Sequence, residues 1–223
     1  MATIDQVQPQ KLYRYRSLGS LKRFKRELEA LEEGYVYCAA YDTLNDPMEG
    51  VFRSSKVLRG SDNYRDTRRA IVENKTKIGL ASFSEVHDHE LMWAHYADQY
   101  RGICIAYSFT KLLDDLGDDV TFVRMYYNEM VPIVRHSRQE PNDLAKMLLS
   151  YKNYRWLYER EWRMFASQGQ IHYTDKSCVT RVYLGSRIPA DKRRKILKAM
   201  NSLDIETRDM KIEKYSMTFE PCS

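Results

Sequence analysis

No apolar run in the chain approaches the roughly 20 residues that a membrane-spanning helix needs. Its first residues, Met1-Ala2-Thr3-Ile4-Asp5-Gln6, lack the hydrophobic core of a signal peptide. Cys38, Cys104, Cys178 and Cys222 are scattered without paired spacing. Cys38 and Cys104 fall in predicted buried strands, where a thiol acts as a small hydrophobe, so a reduced, cytoplasmic setting is expected. Glycine-rich phosphate loops are absent, which sets aside P-loop and Rossmann chemistry. No nucleophile-elbow glycine pattern occurs either. Without a repeat, a low-complexity tract or a linker, the 223 residues read as one domain spanning 1–223. Residues 1–10 are expected to be a loose N-terminal segment and 54–77 a variable insertion.

What is present is 43% hydrophobic and 12% aromatic, which rules out general disorder, and the 17 tyrosines supply contact area with a polar tip. Basic residues number 36 against 31 acidic, a net charge of +5. That mild excess permits a nucleotide or nucleic-acid partner without requiring one. Clusters such as Lys22-Arg23 and Lys192-Arg193-Arg194-Lys195 are solvated helix faces by default.

Lys11 to Ser17 alternates as a strand with Leu12, Arg14 and Arg16 on one face, so at least one arginine should meet water or an anion. Ser20 caps a helix with a Leu21, Phe24, Leu28, Leu31 stripe that Gly34 ends, and Tyr35–Ala40 is a second strand. Asn45-Asp46-Pro47 is turn chemistry, whereas Glu49 has no turn-making role. Ile78 to Phe83 reads as a buried strand. Asp88 then caps a helix of about three turns, with Met92, Trp93 and Tyr96 on one face and His95 off it. A strand over 102–107, an acidic loop within 112–119 and a strand over 120–127 follow. Pro141 opens a predicted long helix whose stripe runs through Leu144, Leu148, Tyr151, Tyr154 and Tyr158. From Glu161 a strand places Glu161, Arg163 and Phe165 on one face. A strand at 179–184, a helix at 190–201 and a strand near 211–217 close the chain. The order predicts an α+β fold, a central mixed, twisted sheet flanked by helices.

Tyr13-Arg14-Tyr15-Arg16-Ser17, Asn45-Asp46-Pro47-Met48-Glu49-Gly50, Ser82-Phe83-Ser84-Glu85, Met92-Trp93-Ala94-His95-Tyr96 and Glu159-Arg160-Glu161-Trp162-Arg163 occur in this order. Together they resemble the bacterial domain-of-unknown-function family 2971, from Leu12 to about Ile188. More remotely the layout is similar to the ADP-ribosyltransferases, which break the nicotinamide–ribose bond of NAD through an oxocarbenium-like transition state. That resemblance implies NAD as cofactor and a nucleic-acid or protein acceptor. Glu161 would stabilise the developing positive charge, with Tyr96 and His95 as further catalytic groups. Arg14, Arg16, Ser17, Asn45, Asp46, Glu49 and Trp93 would bind the cofactor. The sequence lacks the Ser-Thr-Ser motif of that superfamily, and does not decide between Glu159 and Glu161 as the inward carboxylate.

Two other readings stand beside it. One is a metal-dependent nuclease using Asp46, Glu49, Glu85, His87, His89 and His95, although His89 and His95 lack the i, i+4 spacing of a helical ligand pair. The other is a non-catalytic nucleotide or nucleic-acid binding module in a mobile-element or phage-defence setting, its tyrosines and arginines stacking bases and meeting phosphates, whereas the enzyme reading would make the chain a toxin or phage-defence effector.

Overall fold

The structure, a computed structural model, describes residues 8–136 and 139–222. Strand β1 (Lys11–Arg16) leads to helix α1 (Leu21–Glu33), strand β2 (Tyr35–Ala40), strand β3 (Arg53–Ser54) and helices α2 (Lys56–Arg59) and α3 (Tyr64–Lys77). Strand β4 (Gly79–Ser84), helix α4 (Glu90–Tyr96), strand β5 (Ile103–Ser108) and helix α5 (Phe109–Asp115) form the middle. Then come strands β6 (Thr121–Arg124), β7 (Tyr126–Asn128) and β8 (Ile133–Val134), helix α6 (Pro141–Leu148), and strands β9 (Tyr151–Asn153), β10 (Glu161–Ala166) and β11 (Gly169–His172). Strand β12 (Val179–Leu184), helix α7 (Ala190–Ser202) and strands β13 (Glu206–Glu213) and β14 (Ser216–Pro221) complete the chain. The class is α+β with a mixed sheet.

The chain divides into two compact units, each assembled from separate segments. The first holds the residues up to Tyr35, Phe83–Gly117, and His172 onward. Its strands run β1, β5, β12, β13, β14, with the end of β4 beside β1. The β1–β5 and β5–β12 pairs are antiparallel, while β12 and β13 are parallel and linked through α7. Leu12, Ile103, Cys104, Ile105 and Val182 are buried there. Helix α1 is built as its sequence reads: Ser20 accepts from Arg23 N, and Gly34 ends it in the left-handed region at φ 75°.

The second unit holds Val36–Ser82 and Asp118–Ile171. Its larger sheet joins β11, β2 and β4, with β10 against β4 and β6, and two small parallel pairs, β3–β8 and β7–β9, lie apart from it. Leu58, Ile71, Val134, Leu144 and Leu148 form one core cluster, and Ile78, Leu80, Ala145, Leu149 and Phe165 another.

Five local expectations need correction. Helix α4 is capped by His89, whose Nδ1 accepts from Leu91 N, and it stops at Tyr96 because Asp98, Gln99 and Tyr100 all adopt positive φ. The acidic stretch is helical as far as Asp115, where the carboxylate accepts from Thr174. The strand expected over 120–127 is broken at Met125 into β6 and β7. The long helix predicted from Pro141 ends at Leu148: Ser150 Oγ donates to Lys146 O, and the chain re-enters as β9 and a 3-10 turn, Tyr154–Glu159. The final strand is a hairpin, β13 and β14, turning at Lys214-Tyr215.

Candidate functional site

The densest chemistry lies in the second unit, where the premature end of α6 has a direct consequence. Had the helix continued, the Tyr151–Tyr158 stripe would have packed as helix; as strand β9, residue 152 turns inward instead. Lys152 is buried with its ammonium 2.5 Å from Glu159, 2.9 Å from Glu161 and 3.4 Å from Glu49. Arg163, fully buried on β10, donates Nε and Nη2 to Glu161 Oε1 at 3.0 and 2.7 Å and Nη1 to Leu149 O at 2.6 Å. Its Nη2 also lies 2.7 Å from Glu49 Oε2. Both cations are therefore shared between Glu49 and Glu161.

Burial alone would raise the Glu161 carboxyl, but the charges of Arg163 and then Lys152 reverse this and hold it down at about 2. Burial would likewise lower the Lys152 ammonium, and Glu161, Glu49 and Glu159 more than offset it, so the group titrates above its ordinary range. The backbone of Glu161 is fixed as well, its N–H donating to Tyr127 Oη at 2.8 Å.

The loop over 46–50 brings Glu49 to this cluster. Asp46 makes the expected turn, Oδ1 accepting from Met48 N at 2.9 Å, and Oδ2 accepts from Trp156 Nε1 at 3.0 Å. Lys75 donates to Gly50 O at 2.7 Å, and Gly50 itself sits at φ 70°. Beside the loop lies a cavity of about 70 Å³ lined by Asp46, Glu49, Asn128, Tyr151, Lys152 and Asn153 among others. Glu161 is not among the lining residues. Glu49 Oε2 is buried against the Arg163 guanidinium, so its charge is met inside the protein.

The remaining expected site residues fall in the first unit, apart from Asn45, which is exposed in the second. Arg16 does meet an anion, but an internal one: its Nε and Nη2 each donate to Glu27 at 2.6 Å. Burial would raise the Glu27 carboxyl; Arg16 reverses that and lowers it. Arg14 is buried with its guanidinium 5.6 Å from the Phe83 ring centre. Ser17 accepts from Gly19 N. Trp93 has no exposed surface, packs edge-on to Tyr15 and donates Nε1 to His87 O at 2.7 Å, so it is a core residue with no face for a cofactor. His95 is exposed and Tyr96 half-buried, their rings 6.3 Å apart. In the second unit the structure thus gathers Asp46, Glu49 and Glu161, and there the expected set omitted Lys152 and Trp156. A lysine set in the aromatic run Tyr151-Lys152-Asn153-Tyr154 was the available signal. Glu159 and Glu161 are both buried, with Arg160 between them at φ 44°. Among the described residues no group of three or more His, Cys, Asp or Glu is arranged to hold a metal ion, so the six nuclease candidates do not form a site of that kind.

Residues 92–164, about a third of the chain, match the family model described as Protein of unknown function (DUF2971). The match takes in Trp93, His95, Tyr96, Lys152, Glu159, Glu161 and Arg163, and leaves the first strand and the Glu49 loop outside it. None of the curated proteins and none of the solved structures compared matches the chain.

Proposed function

We propose that the second unit carries a glycosyl-transfer site acting on NAD, with Glu49 as the carboxylate that meets the substrate. The observation that carries this reading is a buried carboxylate, Glu49, that is held by Lys152 and Arg163 and also lines the cavity. A carboxylate has about four lone-pair sites, so Glu49 can accept from a ribose hydroxyl while it keeps its two cations. Breaking the nicotinamide–ribose bond develops positive charge on the sugar, and a fixed carboxylate stabilises that charge without reorganising at the moment of reaction. Lys152 and Arg163 hold Glu49 in place, and Glu161, tied to the same two cations, acts as a positioning residue.

A cavity of about 70 Å³ has room for roughly two waters at the ~30 Å³ each occupies in the liquid, so a ribose hydroxyl would reach in and the rest of the dinucleotide would lie outside it. The acceptor would be a nucleic acid or a protein. Arg16 is not assigned the pyrophosphate, since Glu27 already occupies its guanidinium fork.

Incubation with NAD, following free nicotinamide, tests this. Wild type should release nicotinamide above background, and Glu49→Gln should release it at least about a hundredfold more slowly, the scale seen for loss of one electrostatic stabiliser. Thermal melting of the variant reports whether the fold is retained. Absence of release from wild type with nucleic-acid and protein acceptors present, or equal rates from folded Glu49→Gln, would overturn the assignment.

A further inference from the structure

The second unit carries another concave surface, which shares no lining residue with the Glu49 cavity. Arg53, Lys56, Arg59, Arg135 and His136, with Ser54 and Ser55, line an open recess of about 660 Å³. No carboxylate contributes to its lining. The five basic side chains are exposed, and among the described residues none of them is ion-paired.

Their backbone is held rigidly. Strands β3 and β8 pair in parallel with Arg53 opposite Ile133, and Arg53 N donates to Pro132 O at 2.9 Å. Ser55 N donates to Val134 O at 2.9 Å, Ser55 Oγ donates to Arg135 O at 2.9 Å, and the same oxygen accepts from Leu58 N at 3.0 Å. Leu58 and Val134 then anchor both edges in the core. Like charges at this density repel one another, so a rigid scaffold that keeps them together favours an anionic partner.

We infer that this recess binds the phosphodiester backbone of a single-stranded nucleic acid. Several cations spread along an open groove suit a chain of phosphates better than a single anion. Three of the five are arginines, whose planar fork matches phosphate oxygens. The lining offers no aromatic platform beyond His136, so binding reads charge and not bases. The inference stands on the recess alone; were the glycosyl-transfer reading also to hold, it would make the acceptor a nucleic acid.

Fluorescence anisotropy with labelled oligothymidylate and oligoadenylate, without NAD, separates the two claims. Wild type should bind both alike, with affinity falling steeply as salt rises. The double variant Lys56→Gln, Arg59→Gln should bind about tenfold or more weakly, and lower the log–log salt slope by about 1.4, two contacts at ~0.7 each. The control pair Lys22→Gln, Lys25→Gln removes the same charge from exposed positions of α1 and should leave the slope as in wild type. No binding at low salt, an equal loss from the control pair, or binding to phosphatidylglycerol vesicles or inorganic polyphosphate but not to oligonucleotide would each overturn the inference.

Discussion

Glu161 shows how one side chain ties a unit's stability to pH. Its carboxyl is held at about 2, below the 4.5 of a free glutamate, so in the folded state it stays ionised where the unfolded chain has begun to take up protons. Its stabilising contribution is therefore complete above about pH 4.5 and is lost as pH falls toward about 2. The depression makes the ionised carboxylate a stabilising group at neutral pH. Glu161→Gln should lower stability at neutral pH by about 3–5 kcal/mol, since Arg163 and Lys152 keep their charges but lose an anion. It should also flatten the acid limb, which urea titrations at successive pH values would reveal. A variant with an unchanged acid limb would mean that other carboxylates govern that pH range. Lys152 and Glu161 act as one group here, so Lys152→Met should not add its full cost to that of Glu161→Gln when the two are combined.

At the scale of elements, the turn over 46–50 is where local chemistry and site geometry meet. Gly50 takes φ 70°, and a Cβ there would lie 3.1 Å from Leu149 Cδ2 and 3.3 Å from Lys75 Nζ. Gly50→Ala should cost about 1–2 kcal/mol from the left-handed conformation alone, read as a fall in the denaturation midpoint. It should also disturb Glu49, its neighbour. Turns and caps of this kind were readable in the chain: Ser20 and Gly34 bound α1, Asp46 closes its turn on Met48 N, and the alternation of Glu161, Arg163 and Phe165 puts all three inside. The failures have a common cause. A helical stripe from Leu144 to Tyr158 is present in the sequence, but Lys152 is drawn to Glu159, Glu161 and the sequence-distant Glu49, and that tertiary demand overrides local periodicity. Because the periodicity makes Lys152 a helix residue, the centre of the cluster is hidden in the sequence while Glu49 and Glu161 are visible in it. Arg16 failed in a different way. Its need for an anion was legible, but nothing local distinguished Glu27 from a ligand.

At the scale of the whole molecule, chain order and spatial grouping diverge, because each unit is assembled from separate segments. This makes the strands of the first unit unequal. Strand β14 is an edge with mostly exposed residues, whereas β12 pairs with β5 on one side and β13 on the other. Ending the chain after residue 215 should therefore lower the melting temperature by several degrees, chiefly through loss of Phe219, whose ring packs on His87 at 5.2 Å and Tyr183 at 4.9 Å. Ending it after residue 171 removes β12, α7 and both terminal strands, and strips β5 of a partner along residues 103–107. Those residues are almost wholly apolar and buried, so an open β5 edge would expose unpaired N–H and C=O groups beside a hydrophobic surface. The shorter truncation should keep slow amide exchange along β5, and the longer one should lose it and aggregate. If β5 stayed protected in the chain ending at residue 171, its stability would have to come from β1 alone, and the third segment would be dispensable to the first unit's fold.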